Sequence, residues 1–336
     1  MKILIKKISI MACICIQLCF SMQPAVDIYN YPRLIFHAIG PKFSLPGLEG
    51  IDPSFSITAM EMSLQDVMEK SPDLSGQIKD RIVKARMSLA RAKTNYLTCI
   101  GLVKLAEEPR SVGEMALKLS EDAKSLQKNE FDPSILFIGG HYLYSKEGSL
   151  GGHTATFDVA RQEDGKLCYT VINTIKTENH VTDGSFIHEL IYTDLEATDL
   201  DEDLWKNVIK LNYMNPNKGA YLMEAFYKYL DKKLNKGSNK TVGRAFHRQE
   251  KWVCAWKSIS VWLHGKIAPG KRSSDRIACN ELAYLHYKKC MFERMAARFK
   301  PNSSLALQTG VTLKTELEKK IQKNKEDCKL LIPNDV

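Results

Sequence analysis

The sequence predicts an α+β fold, on three observations. Apolar residues recur at helical spacing from Ser63 to about Lys128. At Phe131 the period changes to two, and β-branched and aromatic residues dominate to about Tyr192. From Leu204 the helical spacing returns and holds almost to the C-terminus. A block of hairpin-forming strands between helical flanks reads as a small antiparallel sheet covered by helices.

The chain opens with a targeting pattern. Lys2, Lys6 and Lys7 precede a run from Ile8 to Phe20 that is apolar apart from Ser9 and Gln17, and Cys19-Phe20-Ser21 offers small residues for cleavage. The run is shorter than the roughly 20 residues that span a bilayer, so residues 1–21 are expected to be a cleaved secretory signal rather than an anchor. Pro32, Pro41, Pro46, Gly47, Gly50 and Pro53 break any long element in residues 26–58.

Residues 22–130 form a mainly helical region. Ser63 with Asp66 resembles a capped helix start. Ile78, Ile82, Val83, Met87, Leu89, Ala90 and Tyr96 continue an apolar stripe, and a further helix spans Val112 to Leu126. The expected role of these helices is to cover one face of the core.

Residues 131–300 carry the strands and the reactive side chains. Ile135–Ile138 and His141–Tyr144 flank Gly139-Gly140, and a glycine-bearing loop to Gly152 leads into His153–Val159. The turn Glu163-Asp164-Gly165 joins this run to Leu167–Asn173, which predicts a hairpin. Phe186–Tyr192 adds a strand, Lys232 to Lys240 reads as a basic loop, and residues 301–336 form a charged helical tail.

Composition is globular, with 44% hydrophobic and 26% charged residues. The net charge of +9 is spread along the chain, without zinc-finger spacing, a basic arm or a basic-aromatic repeat, so nucleic acid is not the expected partner. Beyond the leader stand Cys99, Cys168, Cys254, Cys279, Cys290 and Cys328, with no CxxC pair, and nothing in the pattern calls for a metal or cofactor. Most of these thiols read as small buried hydrophobes.

Cys254 differs. It opens an expected helix, and the apolar residues Trp252, Trp256, Ile259, Val261, Trp262 and Leu263 at mixed i, i+3, i+4 spacing fit a helix buried on most of its circumference. Free N–H groups and the positive end of the helix dipole favour a thiolate there. Gln249, five residues upstream, can donate its amide to a developing oxyanion. A thiol nucleophile also needs a base, to be found among His37, His141, His153, His180, His188, His247, His264 and His286. His153 is best placed, heading a row in which Ala155, Phe157 and Val159 face inward. The orienting group should end the next strand, where Asn173 stands. A three-residue loop with left-handed Gly165 puts Asn173 beside Ala155, on the face of His153; a two-residue Asp164-Gly165 turn sends it to the opposite face. Glu178 or Asp183 could then replace it.

The order His153, Asn173, Gln249, Cys254 resembles the cysteine peptidase clan that holds the ubiquitin-like protein (SUMO) proteases, the adenovirus-type proteases and the YopJ-type effectors. The resemblance spans residues 135–265 and rests on order and spacing. It implies a papain-like core, with His153 as base, Asn173 as orienter, Gln249 as oxyanion donor and Cys254 as nucleophile. It departs from the SUMO proteases in having Thr154 after the histidine and Val253 and Ala255 around the cysteine, which points to a divergent bacterial-effector branch. The implied protein is a secreted peptidase or isopeptidase, delivered into a host cell and acting on ubiquitin or a ubiquitin-like modifier. Two alternatives stand beside it: a YopJ-type acetyltransferase drawing on acetyl-coenzyme A with the same triad, and a non-catalytic helical binding protein with Cys254 in its core. A papain-type order, with His264 or His286 following the cysteine, ranks last because both lie so close behind it.

Overall fold

The period-two block folds into one antiparallel sheet. Its strands are β1 (Ile135–Tyr144), β2 (Leu150–Arg161), β3 (Leu167–Ile172), β4 (Thr182–Asp183), β5 (Phe186–Leu195) and β6 (Lys240–His247). They run in the order β1-β2-β3-β5, with β6 and the two-residue β4 both paired to β5. The structure is a computed structural model and describes residues 53–72, 74–104, 109–144, 150–174, 182–183, 186–214, 221–247, 254–269, 277–298 and 304–331. The expected leader, Glu178 and Gln249 lie outside the described residues, and so does the side chain of Asp183.

The β2–β3 turn settles the register that sequence left open. Gln162 N–H donates to the Lys166 carbonyl at 2.7 Å, Gly165 N–H donates to the Gln162 carbonyl at 3.1 Å, and Gly165 has φ +86°. This is the three-residue loop, whose left-handed position glycine occupies without a Cβ penalty. Thr156 therefore pairs with Ile172, and Asn173 follows beside Ala155.

Helices cover both faces of the sheet. Alternate side chains of a strand point to opposite sides, and in β2 the odd row packs on aromatics. Phe157 lies 5.0 Å from Phe226 and 6.2 Å from Phe137, centroid to centroid, with Tyr169 and Trp205 completing the cluster. Trp205 lies on α4 (Glu202–Ile209) and Phe226 on α5 (Tyr221–Leu234). Asp201 caps α4 by accepting the Leu204 N–H at 2.7 Å.

The even row of β2 meets α6 (Cys254–Ile267). Four helical residues rise about 6.0 Å and two strand residues about 6.8 Å, so every fourth residue of a helix lying along a strand meets every second residue of that strand. The contacts follow this rule. Thr154 N–H donates to Cys254 Sγ at 3.3 Å, Thr156 Oγ1 to Ser258 Oγ at 3.0 Å, and Trp262 Nε1 to Asp158 Oδ1 at 2.8 Å. Lys266 Nζ closes the row on Asp158 Oδ2 at 2.7 Å. Ala255, Trp256, Ile259 and Leu263 are also buried, so α6 is enclosed on most sides.

The first three helices, α1 (Pro53–Lys70), α2 (Gly76–Lys104) and α3 (Pro109–Lys128), share one apolar core with the sheet, running from Ile57 through Leu89 and Leu119 to Phe137 and Trp262. Near the C-terminus, α7 (Ile277–Arg298) packs on α1, where Arg294 Nη2 donates to Asp66 Oδ1 at 2.7 Å. Last comes α8 (Ser304–Leu331), which buries Leu317 and Ile321 and exposes most of the charged residues between Lys314 and Glu326. None of the helices among the described residues is long and apolar enough to cross a membrane.

Three details differ from the sequence expectation. Ser63 is inside α1, not its cap, and its hydroxyl donates to the Ala59 carbonyl at 2.8 Å. Gly151 and Gly152 belong to β2, which starts at Leu150. Residues 240–247 form a strand that the pattern hides, because Lys240, Gly243 and Arg244 interrupt its alternation. Tertiary pairing compensates: Arg244 bonds the buried Glu189 of β5 through its side chain and its N–H, and reaches the Val261 carbonyl of α6 at 3.1 Å.

Candidate active site

Cys254 is the first residue of α6, at the end of the row of contacts with β2. It is half-buried, so part of the residue faces solvent. His153 stands one residue before the sulfur's backbone donor, Thr154. On its other side, His153 Nε2 lies 2.6 Å from Asn173 Oδ1, and Asn173 Nδ2 donates to Tyr227 Oη at 3.1 Å. Asn173 and Tyr227 are fully buried.

The orientation of the Asn173 amide carries a tautomer of His153 with it. An amide has one acceptor and one donor end. With Nδ2 committed to Tyr227, Oδ1 is turned to the imidazole and accepts Nε2–H. Nδ1 is then the nitrogen left for the thiol, whose pKa His153 acts to lower.

The electrostatics separate Cys254 from the other described thiols. Burial pushes Cys99 up to about 12 and Cys290 up to about 11, and it also raises Cys168. Burial acts on Cys254 in the same direction, but the hydrogen bond and charge of His153 and two hydrogen bonds from Thr154 outweigh it, and the thiol falls below its ordinary value. Placing the thiol at a helix start adds the dipole's preference for an anion.

Of the sequence-predicted residues, His153, Asn173 and Cys254 are brought together. The two histidines of the papain-type order are engaged elsewhere: His264 Nε2 is 2.8 Å from Glu281 Oε2, and His286 Nδ1 is 2.9 Å from Ser71 Oγ. No cluster of metal-ligating side chains occurs among the described residues. No protein-family model matches the sequence, and no curated protein matches it.

Sequence reasoning missed two residues. Nothing in the sequence around Thr154 marks it as a partner of the thiol, yet its amide donates to the sulfur. Tyr227 lies 54 residues beyond Asn173 on a helix of its own, and no local signal links the two. Tyr227→Phe removes the acceptor that orients the amide while keeping the buried ring. Loss of about 1 kcal/mol of orientation is about fivefold in rate. Alkylation of Cys254 at pH 7 should slow by about that factor with an unchanged melting temperature. An unaltered pH–rate profile would show that Asn173 is held without Tyr227.

Proposed function

We propose that the chain is a thiol hydrolase of the cysteine-peptidase type, built on a papain-like core, with Cys254 as nucleophile. The observation that carries this reading is the imidazole of His153, held by Asn173 through Nε2 and bonded to a thiol whose pKa is lowered. A packed core cysteine needs neither partner and is normally raised by burial, as Cys99 is.

The chemistry follows from that geometry. His153 Nδ1 accepts the thiol proton, and the thiolate attacks a substrate carbonyl carbon to give a tetrahedral oxyanion. The Cys254 N–H and the Gln249 amide are the proposed donors to that oxygen. The imidazolium returns its proton to the leaving amine as the C–N bond breaks, which leaves a thioester on Cys254. Water, deprotonated by the same imidazole, attacks the thioester and releases the carboxylic product and the free thiol. Asn173 serves as a neutral orienter, accepting Nε2–H in both protonation states of the ring. The leader-like residues 1–21 and the order of the four residues support a secreted enzyme acting on a host protein, with a ubiquitin-like modifier as the proposed substrate class.

The test is covalent labelling of the folded mature protein with a panel of ubiquitin-like modifiers bearing C-terminal propargyl or vinyl-ester groups. An adduct formed by wild type and lost in Cys254→Ala and His153→Ala would establish nucleophile and base and name the modifier. Absence of any adduct, together with acetyl transfer from labelled acetyl-coenzyme A to a protein acceptor, would replace hydrolysis with acyl transfer at the same thiol. A Cys254 inert to every probe and to iodoacetamide would overturn both.

A further inference from the structure

The Lys257–Ser260–His264 side of α6 is turned to α7, and a cavity of about 110 Å³ lies between the two helices. One water needs roughly 10–15 Å³, so the space admits a group of several heavy atoms. Lys257 and Lys288 both line it, together with Ser260, Tyr284 and Tyr287. Two half-buried ammonium groups on one cavity are costly, because burial disfavours each charge and each repels the other. Neither lysine forms an ion pair with a carboxylate among the described residues. Glu281, the acid that acts on Lys288, already has its Oε2 2.8 Å from His264 Nε2. Lys288 instead sits 4.6 Å from the ring centroid of Tyr284. The Tyr287 hydroxyl is buried and has no hydrogen-bond partner among the described residues.

We propose that this cavity is a binding site for a small tetrahedral oxyanion, a phosphate group held between Lys257 and Lys288. Its two negative charges near neutral pH match the two ammonium groups, which a single carboxylate would leave half-compensated. Tyr287 supplies a hydroxyl donor at the same cavity, while the Ser260 hydroxyl lies 3.0 Å from Tyr284 Oη. Burial, then the charge of Lys288, holds Lys257 below the ordinary lysine range, and burial also lowers Lys288. An anion between them would reverse both shifts and tie α7 to the helix that carries Cys254. The site is independent of the thiol chemistry proposed above.

The experiment titrates the folded full chain at pH 7 with inorganic phosphate, O-phosphoserine and acetate at constant ionic strength, reading heat of binding and melting temperature. Phosphate should bind saturably and raise the melting temperature, and acetate should do neither. Lys257→Met and Lys288→Met should each weaken phosphate binding at least tenfold, the equivalent of one charged hydrogen bond. Because each substitution removes a half-buried charge that has no carboxylate ion pair among the described residues, neither variant should melt lower than wild type in phosphate-free buffer. Binding of O-phosphoserine as well as phosphate would identify the ligand as a phosphate ester entering from solvent. Binding of phosphate alone would identify the free ion. The site is overturned if phosphate gives no saturable signal with wild type, if both lysine variants bind it as wild type does, or if acetate binds equally well.

Discussion

Iodoacetamide offered to the folded protein at pH 7 should modify Cys254 well ahead of Cys99, Cys168 and Cys290. The thiolate is the reacting species, and of these four thiols only Cys254 is shifted down from its ordinary value. The sign fixes the pH dependence. A lowered thiol pKa means that the alkylation rate rises through a midpoint below that of a free cysteine and is lost as the pH falls through that midpoint. In His153→Ala, burial still raises the thiol, but the hydrogen bond and charge that outweighed it are gone. The midpoint should therefore move up, and the reaction at pH 7 should be several-fold slower, because less of the thiol is ionised there. Mass-spectrometric mapping of the modified residue against pH, in wild type and variant, checks it. Superimposable profiles would remove His153 from the site.

Asp158→Ala should be the most damaging single change to the docking of α6. Asp158 is buried on β2 and accepts from Trp262 Nε1 at 2.8 Å and from Lys266 Nζ at 2.7 Å. Removing it strands a buried indole N–H and an ammonium whose side chain is only 26% exposed. Breaking such a pair costs about 3 kcal/mol, and Asp158→Asn, which keeps an acceptor for Trp262, should cost about half of that. Urea unfolding with an unchanged slope and a lowered midpoint is the expected result. Cys254 alkylation should slow in step, since the same row of contacts places the sulfur against Thr154. An alanine variant as stable as wild type would mean that α6 is held by apolar packing alone.

The candidate nucleophile and base were legible because their signals are local. A cysteine opening an apolar helical run and a histidine heading a period-two row can be read from neighbouring residues, and α6 and β2 form at those places. The orienter was only half legible. Asn173 reaches the face of His153 in one of two registers, and the choice depends on whether Gly165 takes a left-handed conformation. Tyr227 was not legible, since a partner 54 residues away is set by how α5 crosses the sheet. The strand at residues 240–247 escaped for a related reason: Arg244 is acceptable there only because Glu189 and the Val261 carbonyl meet it.

By itself the sequence determined the α+β class, the helical flanks and the thiol at a helix start, because periodicity and local capping are properties of neighbouring residues. Only the tertiary structure decided that β2 lies along α6 in a register bringing Thr154 to Cys254, that Asn173 Oδ1 is turned to His153, and that two lysines share one cavity. Those outcomes depend on sheet register, on the matching of helical and strand rise, and on burial that acts on whichever charges packing brings together.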